Sequence, residues 1–98
     1  MSAYITLVNF TDQGARNIKV SPDRFEAFKA SAESKGITVK SAHWTTGAYD
    51  LVLGSEGPED AMMSLNLKTA SLGNVRTQTQ RGFTVTEIRR LCWQVWGK

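Results

Sequence analysis

The run from Ala3 to Phe10 (AYITLVNF) is apolar on both of its parities: Tyr4, Val8 and Phe10 fall on one face of a strand, Ile5 and Leu7 on the other. Side chains alternate across a strand, so a segment of this kind has to be covered on both sides. A layer of helices supplies one cover. The other has to come from elsewhere, and that requirement limits the fold more than any other feature of the chain.

The helices follow in order. Thr11-Asp12-Gln13-Gly14 breaks the strand, and a short helical turn is expected over residues 12–18. Ser21-Pro22-Asp23 opens a longer helix, with Ser as N-cap, Pro at the first helical position and Asp against the positive end of the helix dipole. Phe25, Phe28 and Ala32 recur at i, i+3, i+7, and Gly36 stops the helix. Residues 37–45 (ITVKSAHWT) and 49–53 (YDLVL) read as a hairpin turning at Thr46-Gly47-Ala48, where Gly47 is expected to supply a positive φ. Gly54-Ser55-Glu56-Gly57 is expected to close it as a turn. Pro58-Glu59-Asp60 then opens a second helix, with Met62, Leu65, Thr69 and Leu72 on one face and Gly73-Asn74 at its end. Residues 75–83 (VRTQTQRGF) make a polar fourth strand suited to a sheet edge.

The order β-α-β-β-α-β predicts an α+β, ferredoxin-like fold: a four-stranded antiparallel sheet with two helices on one face. Residues 84–96 add a C-terminal helical extension, opened by the capping-box spacing of Thr84-Val85-Thr86-Glu87. Ile88, Leu91, Cys92 and Val95 form its apolar stripe, which Trp96 widens. Trp93 lies off the stripe, where Arg89 one turn earlier is placed to stack on the indole. That is more apolar surface than a simple cap requires.

Two stretches give the chain a family resemblance. Thr45-Thr46-Gly47-Ala48-Tyr49-Asp50-Leu51-Val52 carries a G-x-Y-D signature, and Ala70-Ser71-Leu72-Gly73-Asn74-Val75-Arg76-Thr77 follows in the same order on the βαββαβ frame. With the first strand and the helix over residues 25–35, residues 3–84 resemble the GYD domain family. The resemblance implies a small ferredoxin-like protein that assembles through its sheet. It implies no activity and carries over no functional residue.

At 98 residues the chain has the length of a single domain, taken as 1–98. A compact chain of 10.8 kDa exposes roughly 5,500 Å². The net charge of +3 is unevenly spread. Residues 1–75 hold seven basic and eight acidic side chains, whereas residues 76–98 hold five basic and one acidic. The basic quarter reads first as a solvated face. Arg81-Gly82-Phe83 resembles the start of an RNA-binding RNP1 motif, but the second aromatic is missing and the strand is the wrong one, so nucleic acid is not an expected partner. A single cysteine fits a reducing compartment, and with no leader pattern or apolar run of membrane-spanning length the expected location is cytoplasmic, away from any membrane.

His43 is the only histidine and Cys92 the only cysteine, too few for a metal site built from one chain. Phosphate-binding glycine loops and nucleophile elbows are absent, so no metal and no cofactor is expected. The expected role is that of an interaction or small-molecule-binding module, a homodimer or higher homo-oligomer that stacks helix-free sheet faces and leaves a cleft between them. Tyr4, Thr6, His43, Asp50 and Thr77 are the residues expected to line that cleft, the parity of the second and fourth strands being open. The alternative is a cofactor-free enzyme for a small aromatic or carbonyl compound. In it His43 acts as acid/base and Asp50 orients it or accepts from the ligand.

Overall fold

The first strand, β1 (Ser2–Phe10), lies inside a four-stranded antiparallel sheet with β2 (Thr38–Trp44), β3 (Leu51–Gly57) and β4 (Val75–Gly82), in the order β2-β3-β1-β4. A computed structural model describes residues 2–97. β1 pairs with β3 from Ser2↔Gly57 to Val8↔Leu51 and with β4 from Ala3↔Gly82 to Phe10↔Val75. Helices α2 (Ser21–Ser34) and α3 (Glu59–Ser71) cover one face; a short α1 (Asp12–Arg16) and a 3₁₀ turn (Ile18–Val20) precede them, and α4 (Val85–Trp96) follows β4. This is the ferredoxin-like α+β arrangement.

The parity of β1 is the one its sequence requires. Tyr4, Thr6 and Val8 are 7%, 5% and 2% exposed beneath the helices, whereas Ile5 on the opposite face is 39% exposed. The core divides into two groups. Tyr4, Ala32, Ile37, Met62 and Leu65 form one; Val8, Leu51 and Leu53 form the other, with Phe25 and Phe28 packed on it.

Local chemistry sets the element ends. Gly36 and Gly73 take φ of +83° and +78° just past α2 and α3, the left-handed conformation that stops a helix. Gly47 has no positive φ, contrary to expectation; the connection runs as bends through Asp50, and a longer loop needs no primed turn. Ser21 is the first helical residue and not a cap, because its buried hydroxyl accepts a hydrogen bond from the Trp44 indole N–H at 3.1 Å.

Gly54-Ser55-Glu56-Gly57 continues β3 where a turn was expected. Its glycines serve close approach: a Cβ at Gly54 would stand 2.6 Å from Ser41 Oγ, and one at Gly57 2.8 Å from the Ile37 side chain. α1 is fastened to the turn before β4. Thr11 Oγ1 donates to Gly73 O at 2.6 Å, and Gln13 Nε2 donates to Asn74 Oδ1 at 2.9 Å.

Candidate functional site

The sheet register separates the five expected site residues. Tyr4 pairs with Ser55, Thr6 with Leu53 and Thr79, and Val8 with Thr77, all on the helix-covered face. Tyr4, Thr6 and Thr77 are therefore turned away from any cleft on the helix-free face, and that assignment is corrected. His43 pairs with Val52 on the helix-free face, and Asp50 lies in the bend just before β3.

His43 and Asp50, the pair invoked by the enzyme alternative, have separate surroundings. Asp50 Oδ2 accepts a hydrogen bond from the Phe10 N–H at 2.9 Å, its own N–H donates to Val8 O at 2.8 Å, and its carbonyl accepts from the Thr45 N–H at 2.9 Å. The carboxylate thus satisfies a backbone donor where β1 leaves the sheet, the role of a strand-end cap. His43 is exposed and no hydrogen bond joins it to Asp50.

The helix-free face has an apolar centre and polar margins. Ile5 and Leu7 of β1 and Val52 of β3 form the centre, and Gly54 leaves it flat. Gln78, Gln80 and Arg76 border it on β4, with Ser41 and His43 on β2. A sequence reading finds the centre from the parity of β1 alone; the margins depend on the registers of β2 and β4.

The opposite face holds a cavity of about 290 Å³ between the sheet and the two helices. Thr6, Val8 and Thr77 form part of its floor, Phe25 and Phe28 of α2 and Leu65 of α3 its walls. Asn66 Nδ2 donates to Thr79 Oγ1 at 3.1 Å, and the Thr79 and Thr6 hydroxyls lie 3.1 Å apart, linking α3 to the floor. Sequence reasoning missed this cavity; the separation of two helices is not recorded in the periodicity of either one.

α4 stands apart from both faces. Its capping box forms as its sequence predicts: the Glu87 N–H donates to Thr84 Oγ1 at 3.1 Å and Glu87 Oε1 accepts from the Thr84 N–H at 3.0 Å. The Thr84 N–H, above all, holds the Glu87 carboxyl below its ordinary value, and Arg81 adds to the effect. Arg81 lies 4.4 Å over the Phe83 ring and 3.6 Å from the Glu87 carboxylate, and it donates to the carbonyls of Ala3 and Gly82. Arg81-Gly82-Phe83 is thereby a joint between β4 and α4. The expected stacking of Arg89 on Trp93 does not form, and Trp93, Val95 and Trp96 are 63%, 68% and 70% exposed.

The fold and this surface describe a small ferredoxin-like domain with an unpartnered amphipathic arm. A family model described as "GYD domain" matches residues 4–92, and the chain belongs to that family. The match reaches Cys92, inside α4, past the residues 3–84 on which the resemblance rested. Among solved structures, the chain is similar to one described as "crystal structure of FFRP-DM1", with 20% identity, a TM-score of 0.59, and coverage of 85% of this chain and 100% of that one. That likeness is one of fold. No curated protein matches the chain. No helix among the described residues is long and apolar enough to cross a membrane.

Proposed function

We propose that the chain is a self-assembling interaction module, in which two copies meet through their helix-free sheet faces and the α4 arms complete the contact. The observation that carries this reading is the surplus of surface. A compact chain of this mass would expose roughly 5,500 Å², whereas this one exposes 6675 Å². Its radius of gyration is 15.2 Å, against about 12.6 Å for a compact domain of its length. Large apolar side chains are exposed where a partner can cover them: Ile5 on the sheet, and Ile88, Val95 and Trp96 on the arm.

The helix-free face has the anatomy of an interface, an apolar centre within a polar rim. A like face is a suitable cover, because two-fold stacking sets centre on centre and rim on rim. His43 lies at the margin of that contact, where a strand-lined cleft would admit a small molecule. The free cysteine is in keeping with a cytoplasmic setting.

Isotope-filtered nuclear Overhauser spectroscopy tests the reading on a mixture of labelled and unlabelled chain. Intermolecular contacts are expected among the methyls of Ile5, Leu7 and Val52. Their absence, with the chain at concentrations where it is associated, would place the interface elsewhere.

A further inference from the structure

We propose that the cavity between α2, α3 and the sheet is a binding site for a small carboxylate with an apolar body, such as an aromatic or branched aliphatic acid. It lies on the opposite side of the sheet from the assembly face and belongs to each chain alone.

The size and lining set the class of ligand. About 290 Å³ is the low end of the range of roughly 300–1,000 Å³ for small-molecule pockets, so a single ring or short branched chain fits and a nucleotide does not. The space is a half-open groove that runs beside Val8, Leu51 and Leu53, so a ligand can enter it from solvent. The walls supplied by Phe25, Phe28 and Leu65 are apolar and suit an apolar body.

Charge sets the head group. Arg24 and Lys68 both border the cavity, and no acidic side chain does. Neither cation is in an ion pair among the described residues. The Arg24 guanidinium is anchored by donation to Asn17 O at 3.1 Å and Gly14 O at 3.2 Å, which leaves other N–H groups for an acceptor. Lys68 Nζ donates to Ser31 Oγ at 3.2 Å, a contact between α3 and α2 at the cavity margin, and it retains two further donors. Two cations without a carboxylate beside an apolar chamber select an anion with an apolar tail over a neutral or cationic analogue.

The test uses the full chain, labelled with ¹⁵N and titrated with 3-phenylpropionate, with its neutral counterpart 3-phenylpropanamide and with acetate. Saturable shifts are expected at the amides of Val8, Phe28 and Thr77 with phenylpropionate, about tenfold weaker binding of the amide, and none of these shifts with acetate. Lys68→Gln, an exposed position, should weaken phenylpropionate about tenfold and leave the amide unaffected. Thr77→Phe, which fills the floor from an edge strand, should abolish binding of both while the circular dichroism spectrum is retained.

Equal binding of acid and amide would overturn the assignment, as would shifts confined to Ile5, Leu7 and Val52 on the other face. So would shifts at the lining residues that appear on raising the chain's own concentration and vanish in Trp96→Lys, since the cavity would then be the seat of another copy's α4.

Discussion

Asp50 Oδ2 accepts the Phe10 backbone N–H at 2.9 Å, joining the last residue of β1 to the residue that precedes β3. The aspartate of the G-x-Y-D signature thus has a structural task. Without it, a half-buried backbone donor at the end of β1 loses its partner. Asp50→Ala should cost about 1–3 kcal/mol of unfolding free energy. Asp50→Asn, which keeps an acceptor oxygen, should cost less than half as much. Urea denaturation followed by tryptophan fluorescence reads both.

Gly14 is the position least tolerant of a side chain. A Cβ there would stand 2.0 Å from the carbonyl oxygen of Asn74, and that neighbour is backbone. Gly14→Ala should destabilise the chain by about 1–3 kcal/mol through overpacking, and it should shift the amides of Gly73 and Asn74 in a heteronuclear spectrum. Gly47→Ala meets open space at a negative φ and should be close to neutral.

The capping box makes α4 sensitive to acid. The Glu87 carboxyl lies below its ordinary value, chiefly through the Thr84 N–H. A depressed carboxylate stabilises above its unfolded value and loses that contribution as the pH falls through the folded one. The N-terminal turn of α4 should therefore be intact at neutral pH and fray below about pH 4, the ordinary glutamate range, as read from the Thr84 and Glu87 amide resonances. Glu87→Gln should remove most of this pH dependence, and Thr84→Ala should cost the helix about 1 kcal/mol.

Much of this fold can be read from the sequence, for physical reasons that differ between elements. The two faces of β1 follow from alternation, the ends of α2 and α3 from Gly36 and Gly73, and the start of α4 from the reciprocal bonds of Thr84 and Glu87. Gly54-Ser55-Glu56-Gly57 misleads because its residues favour turns in isolation, while pairing with β1 and close contact with Ile37 and Ser41 hold it extended. The sites are harder to read. Thr6 and Thr77 lie together beside a cavity, but only the register of β4 and the gap between α2 and α3 put them there. A short carboxylate beside a turn points to capping of local backbone N–H groups, but nothing in the pattern around Asp50 says that the N–H it takes lies forty residues earlier.

Charge on the helix-free face should oppose association without disturbing the core. Leu7→Glu places a carboxylate at the apolar centre of that face, opposite Val52 and Gln78, away from the helices. It should raise the dissociation constant at least about tenfold, since burying an unpaired charge costs several kcal/mol. Its circular dichroism spectrum should match that of the parent chain.

In the proposed assembly one chain is not the whole unit. Light scattering coupled to size exclusion tests it most directly. At micromolar concentration the expected mass is at least twice the 10.8 kDa of one chain. A mass of 10.8 kDa, unchanged on concentrating the sample, would contradict it.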